Sequence, residues 1–275
     1  MKRPFLWTLP AVIVLACLSV YPTVFLLETS LRTKSGWGLG NFARLLEDRM
    51  LLVALLHTVI FLMIALAGEL ICGLGLAVLV DSMGRGKSWV RTMLLTPMLL
   101  PPVVAAVIWR LIYNPQFGLL NGTLRVAGVD TTRLTWTNGE GGALLSVIAV
   151  DVWEWTPFVF LLVSAGLQSL PSEALEAARV DGASRWQVFW GIELPLLRPV
   201  LVLAALLRGV DLMRIFDQVF ILTQGGPGFA TETISLYIYR TAFRFFDFGY
   251  AAAMSIVLLV LATVFARGLA RRIKV

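Results

Sequence analysis

Residues 170–199 read LPSEALEAARVDGASRWQVFWGIELPLLRP, a polar stretch with an aromatic tip between two strongly apolar runs. Its local signals are those of a helix–turn–helix. Ser172 after Pro171 is a competent N-cap, and Glu173 and Glu176 place negative charge in the first turns, where the helix dipole favours it. Ala174, Leu175, Ala177 and Ala178 are strong helix formers. Asp181-Gly182 ends that helix, since Gly182 takes a left-handed conformation without a Cβ penalty. Ser184 starts another, with Gln187 at the capping-box spacing and Arg185 between them. Trp186, Phe189 and Trp190 then present an aromatic surface before Pro195 and Pro199 lead into the next apolar run. The small alanine face suits a groove on a soluble partner. An interfacial helix resting on a membrane is the other reading.

The flanking runs set the class. Of 275 residues, 58% are hydrophobic and 15% charged, with a mean hydropathy of +0.83, more apolar surface than a soluble domain of this size hides. Six segments are long enough to cross roughly 30 Å of hydrocarbon: about 5–27, 51–80, 93–113, 143–167, 199–223 and 248–266. Helices are expected, because a lipid-exposed backbone must satisfy its hydrogen bonds internally and the alternation of barrel strands is missing. The chain is therefore read as an all-α polytopic membrane protein. Residues 1–50 form a first transmembrane helix and outer loop, and 51–275 a five-helix core carrying the 170–199 loop. Pro97, Pro101 and Pro102 in the third span and Pro157 in the fourth imply kinks or a broken helix. The run after Met1-Lys2-Arg3 reads as a retained helix rather than a signal peptide, being long and without a convincing small-residue cleavage site. Cys17 and Cys72 both lie in apolar runs, so no disulfide framework is indicated.

Charge orients the spans. With the N-terminus inside, segments 1–4, 81–92, 168–198 and 267–275 carry 12 Lys or Arg in 56 positions, against 8 in the 76 positions of 28–50, 114–142 and 224–247. That twofold bias follows the positive-inside rule and puts both termini and the 170–199 loop in the cytoplasm. Arg85, Lys87 and Arg91 carry much of it, as do Arg271, Arg272 and Lys274. The formal net charge of +6 is then a topology signal rather than a nucleic-acid footprint.

The loop also resembles a known family. Glu176-Ala177-Ala178, three residues to Gly182, nine more to Ile192, then Leu194-Pro195 is similar to the EAA loop of the membrane subunits of binding-protein-dependent ABC importers. Tyr21-Pro22 closing the first span, Asn41-Phe42, Trp153 through Pro157-Phe158, Leu222-Thr223 with Gly225-Gly226-Pro227, Tyr237-Ile238-Tyr239 and Ala242-Phe243 extend the likeness over nearly the whole chain. They resemble the first permease type of the sugar-importer branch, related to the maltose, lactose and glycerol-phosphate permeases. The maltose permease's large outer domain and added N-terminal helices have no counterpart.

The resemblance implies a type I importer permease fold with six transmembrane helices, in a bacterial inner membrane. The loop would be the coupling helix, seated in one of two cytoplasmic ATPase subunits. Glu173, Glu176, Ala177, Ala178, Asp181, Gly182 and Arg185 would form the contact, with Glu176 its acidic residue and Gly182 its turn. ATP and Mg would be used by those partners. The chain itself has no GxxxxGK[ST] segment, no cofactor is expected in it, and no catalytic or metal role falls to any residue. A periplasmic solute-binding protein would deliver a sugar or polyol. A second, related permease would complete the pathway, a homodimer being the other arrangement.

Charges inside the spans are the remaining signal, since each is costly against lipid, on the order of 2–4 kcal/mol near the bilayer centre. Arg208, Asp211, Arg214 and Asp217 recur every three residues, which suggests an internal ion-pair ladder of Arg208, Asp211 and Arg214, with Asp217 nearer the outer gate. Asp151 and Glu154, with Trp153 and Trp155 around them, are the candidate substrate contacts, since carboxylates bond sugar hydroxyls and indoles stack on pyranose faces. Packing of the tryptophans at the bilayer edge and pairing of Glu154 with an arginine is the competing reading. Glu69 reads as a buried hydrogen-bonding group and Arg110 as reaching an outer headgroup. An ion-coupled secondary transporter of a small polar solute is the alternative function, disfavoured by six spans with no visible repeat. A membrane-embedded enzyme would want clustered His, Cys or carboxylates at one membrane face, which the single His57 does not supply.

Overall fold

The computed structural model describes residues 5–33, 36–131, 134–139 and 141–273; Lys2, Arg3, Lys34, Arg133 and Lys274 of the charge count lie outside them. The apolar runs fold as long helices: α1 (Phe5–Leu31), α3 (Arg49–Asp81), α7 (Ala143–Gln168) and α13 (Phe248–Ile273). A fifth is assembled from α9 (Arg185–Val188), a π turn (Phe189–Glu193) and α10 (Leu194–Met213). These five have the length and hydropathy to cross a membrane. Between them lie α2 (Gly40–Glu47), α4 (Lys87–Leu95), α5 (Pro102–Ile112), α6 (Leu119–Val126), α8 (Ser172–Val180), α11 (Asp217–Leu222) and α12 (Ile234–Phe243), with a small hairpin of Arg32–Thr33 and Gly36–Trp37.

The third expected span is broken, as its prolines imply, and two span boundaries differ from the sequence reading. α4 ends at Leu95, a single 3-10 turn covers Pro97–Leu99, and α5 restarts at Pro102, because consecutive prolines remove donors and force extended backbone before them. The first span does not close at Tyr21-Pro22, for α1 runs through Pro22 to Leu31. The fifth starts fourteen residues earlier than 199, at Arg185, and ends at Met213 rather than 223. Pro195 cannot donate to the carbonyl one turn back, and the π turn absorbs this by letting the Leu194 amide reach the Phe189 carbonyl instead. The second half of the loop is thus continuous with the span.

The core forms where α3, α7 and α10 meet. Near the loop end, Ala77, Val80, Val159, Phe160, Val163, Leu197 and Ala204 are buried together; further along, Phe61, Leu62, Ala65, Val147, Val150 and Leu212 join Val219 and Leu236. Small residues let these backbones approach, as packing between helices in lipid requires. A Cβ on Gly73 would lie 2.6 Å from Val159 and 3.0 Å from the Phe160 amide, and one on Gly209 would lie 2.4 Å from the Phe265 ring.

At the end away from the loop, Asp48 is the knot. It caps α3 by accepting from the Met50 and Leu51 amides at 2.8 and 3.2 Å, and it accepts from the Tyr237 and Tyr250 hydroxyls at 2.7 and 2.5 Å. Burial pushes the Asp48 carboxyl up, but the bonds from Tyr250, Tyr237 and the two amides outweigh it and hold the group below its ordinary value. Nearby, Glu232 is buried against Arg240 at 2.7 Å beneath the Gly225-Gly226-Pro227 loop. Burial raises its carboxyl to about 7 against the pull of Arg240 and Arg244.

The glycine contact yields a paired test. Gly73→Ala is expected to cost about 1–3 kcal/mol by overpacking the α3–α7 crossing. Gly75→Ala, with open space where its Cβ would go, is expected to be neutral or stabilising by about 0.5–1 kcal/mol. Thermal unfolding of the two purified variants in one detergent checks the difference.

Candidate functional site

The fifth long helix carries Arg208 into the middle of the bundle, with its side chain 3% exposed. Its Nε and one terminal nitrogen each donate at 2.8 Å to the two carboxylate oxygens of Glu69 on α3, a bidentate fork. The same terminal nitrogen donates to Asp151 on α7 at 2.9 Å. The guanidinium also lies over the Trp155 ring, 4.5 Å from its centroid. Three helices are joined at one cation, and the two carboxylates of the cluster, Glu69 and Asp151, are both paired with it.

Beside this cluster is a cavity of about 350 Å³, lined among others by Pro102, Asp151, Trp155, Arg208, Asp211, Arg214, Asp217 and Gln218. It owes its polarity to the end of α10. The helix stops at Met213, residues 214–216 turn, and α11 restarts at Asp217, so charged side chains that one straight helix would scatter now border a single hollow. Gln218 is fully buried behind it and donates to Glu154 at 2.7 Å. The second oxygen of Glu154 and the amide oxygen of Gln218 are buried without a partner. A hollow offering carboxylates, guanidinium groups, an amide and an indole face suits a hydroxyl-rich solute.

The sequence candidates divide accordingly. The ladder of Arg208, Asp211, Arg214 and Asp217 is not a buried ladder. Arg208 turns to Glu69 and Asp151, and Asp211 reaches it only at 3.8 Å; Asp211 instead holds Arg214 at 2.5 Å, with side chains 40% and 71% exposed. Asp217 is on another helix and exposed. Among the intended pathway residues, Asp151, Trp155 and Asp217 border the cavity. Trp153, two residues from Trp155 and so on the far side of α7, packs edge-on against Trp109 at 5.4 Å. Glu154 is fully buried and pairs with Gln218 rather than an arginine. Sequence reasoning missed Gln218, whose signal was its place beside Asp217.

In the loop, α8 ends as its residues dictate. Gly182 has φ +80° and the Ala183 amide donates across it to the Ala178 carbonyl at 2.9 Å, the long bond of a Schellman closure, after a last ordinary helical bond from the Asp181 amide to Ala177 at 3.0 Å. Ser184 and Gln187 form a complete capping box. Glu173, Glu176, Ala177, Asp181, Gly182 and Arg185 are exposed and Ala178 half-buried, so the loop presents these side chains outward.

Residues 69–275 match the family described as the inner membrane component of binding-protein-dependent transport systems. The chain is 38% identical over 228 residues to the trehalose/maltose transport system permease protein of Thermococcus litoralis, covering 83% of this chain and 76% of that one. It is 33% identical over 262 residues to the sulfoquinovosyl glycerol transport system permease protein of Agrobacterium fabrum, covering 92% and 84%. Its fold superimposes with a TM-score of 0.87, at 22% identity and over 96% of this chain and 91% of the other, on a bacterial alginate ABC transporter solved in complex with an alginate pentasaccharide-bound periplasmic protein.

Removing the Gln218 amide tests the buried polar pair. Gln218→Leu, which leaves Glu154 buried with no donor, is expected to destabilise the fold by about 1–3 kcal/mol. Glu154→Leu/Gln218→Leu together should recover much of that loss in a thermal unfolding series.

Proposed function

Because the chain belongs to the family of inner membrane components of binding-protein-dependent transport systems, we propose that it forms half of the translocation pathway of an ATP-driven sugar or polyol importer. The observation that carries the reading is a polar, indole-sided cavity beside the buried Arg208 cluster together with an exposed, doubly capped loop at one end of the same helices. One is suited to a hydroxyl-rich solute, the other to a soluble motor. The named substrates of the similar permeases, trehalose or maltose and sulfoquinovosyl glycerol, favour a glycoside or polyol.

On this reading the loop lies in the cytoplasm with both termini, as the excess of Lys and Arg on that side favours. Glu173, Glu176, Ala177, Ala178, Asp181, Gly182 and Arg185 meet the ATPase, Glu176 through its charge and Gly182 through the turn that sets α8 against α9. Two ATPase subunits use ATP and Mg, and their closure draws the loop toward its counterpart on a second, related permease. Since α9, the π turn and α10 are continuous with the helix that carries Arg208, a displacement at Arg185 is passed along a rigid rod to the wall of the cavity. A periplasmic binding protein releases the solute at the opposite end. Trp155 stacks on the apolar face of a sugar ring, and Asp211, Arg214 and Asp217 bond its hydroxyls. Asp151 acts at one remove, by holding Arg208.

The coupling role is tested with the permease coexpressed with its ATPase. Glu176→Lys is expected to leave membrane insertion unchanged while lowering ATPase copurification and ATP-dependent uptake several-fold. Unchanged copurification and uptake would reject the role given to Glu176. Proton- or sodium-driven uptake by the chain alone would favour an ion-coupled secondary transporter instead.

A further inference from the structure

At the loop end of the bundle, away from the polar cavity, a smaller hollow of about 140 Å³ lies between α4 and α7. Arg91 on α4 borders it, facing Ser164 and Gln168 one turn apart on α7. Arg91 makes no ion pair among the described residues, and its Nε is buried without a hydrogen-bond partner. The neighbouring cation Lys87 is already held by Asp81 at 2.6 Å. Ser164 is 7% exposed, and its hydroxyl too is buried without a partner. Gln168 gives one amide hydrogen to the Ser164 carbonyl at 3.0 Å and keeps a second. No carboxylate borders the hollow.

These groups share one chemistry. Each can donate a hydrogen bond, with a planar guanidinium fork among them, and nothing acidic competes. An unpaired arginine and a buried unbonded hydroxyl each carry a desolvation cost that an anionic acceptor would remove. A tetrahedral oxyanion accepts the fork bidentately and a hydroxyl on a third oxygen, and a phosphate group fits a space of this size. Leu161 and Ala165 continue the rim as an exposed apolar strip along α7 toward the middle of the bundle, the geometry that an acyl chain below a headgroup would follow.

We propose that Arg91, Ser164 and Gln168 form a phosphate-group site, filled by the headgroup of an anionic phospholipid or by inorganic phosphate. Gln168 is the last residue of α7, four positions before α8 begins at Ser172. Occupancy therefore ties α4 to the base of the exposed loop. The site rests on these side chains alone and does not depend on which solute the protein carries.

The test is native mass spectrometry of the full-length chain purified with its partner subunits, titrated separately with phosphatidylglycerol, phosphatidylcholine and sodium phosphate. One probe is expected to be retained about tenfold less by Arg91→Gln than by wild type, roughly the worth of one charge-assisted hydrogen bond. Ser164→Ala should weaken it by a smaller factor, and Arg91→Lys, which keeps the charge and guards against misfolding, should be intermediate. Arg85→Gln, at an exposed cation outside the hollow, should retain the probe as wild type does. Selective retention of phosphatidylglycerol over phosphatidylcholine identifies a lipid headgroup. Retention of inorganic phosphate with no preference between the lipids identifies free phosphate. Binding of neither probe, equal binding by Arg91→Gln, or an equal loss in Arg85→Gln overturns the proposal.

Discussion

Arg208 carries a guanidinium into a region where an isolated charge is costly, and Glu69 and Asp151 answer it from two other helices at 2.8 and 2.9 Å. Two buried carboxylates and one buried guanidinium have few arrangements that leave no group stranded. The observed one requires α3, α7 and α10 to hold a particular rotation and depth relative to each other. Lipid tails supply no hydrophobic drive between helices, so close packing at Gly73 and Gly209 and this ion cluster define their register.

The cavity follows from the same arrangement. Arg208 is drawn inward by Glu69 and Asp151 and lies over Trp155, which fixes one wall. Because α10 ends five residues later, Asp211, Arg214 and Asp217 border the same hollow in partly exposed positions. Structural charge and accessible charge thus sit side by side, with burial separating their roles. The loop is joined to the cavity by one helical run from Arg185 to Met213, with a π turn at Phe189–Glu193. On the proposed function, that continuity is the mechanical link between an event at the loop and the shape of the cavity.

Much of this was legible in the sequence. Hydropathy located the long helices, and cap chemistry at Gly182, Ser184 and Gln187 described the loop turn correctly, because caps and turns are decided by residues within one helical turn. Span boundaries were less legible. Pro195 and Pro199 looked like a junction, yet a π turn absorbs the missing donor and the helix continues. The partners of Arg208 were only partly readable, since Glu69 read as a buried hydrogen-bonding group but not as the partner of this arginine. Glu69 lies 139 residues away and Asp151 57 away, whereas the three-residue spacing of Arg208, Asp211 and Arg214 pointed to local pairs that turn out weak or exposed. The assignment of both Trp153 and Trp155 to the pathway overlooked that neighbours two apart on a helix face nearly opposite ways.

The unfolding free energy of an Arg208→Met variant, set against Arg208→Met/Glu69→Met/Asp151→Leu, measures the clamp most directly. If the ion cluster fixes the three helices, the single variant strands two buried carboxylates and loses about 3–5 kcal/mol, while the triple variant, which removes every charge from the cluster, regains most of that loss. A single variant as stable as the wild type, or a triple variant no more stable than the single, would contradict the account.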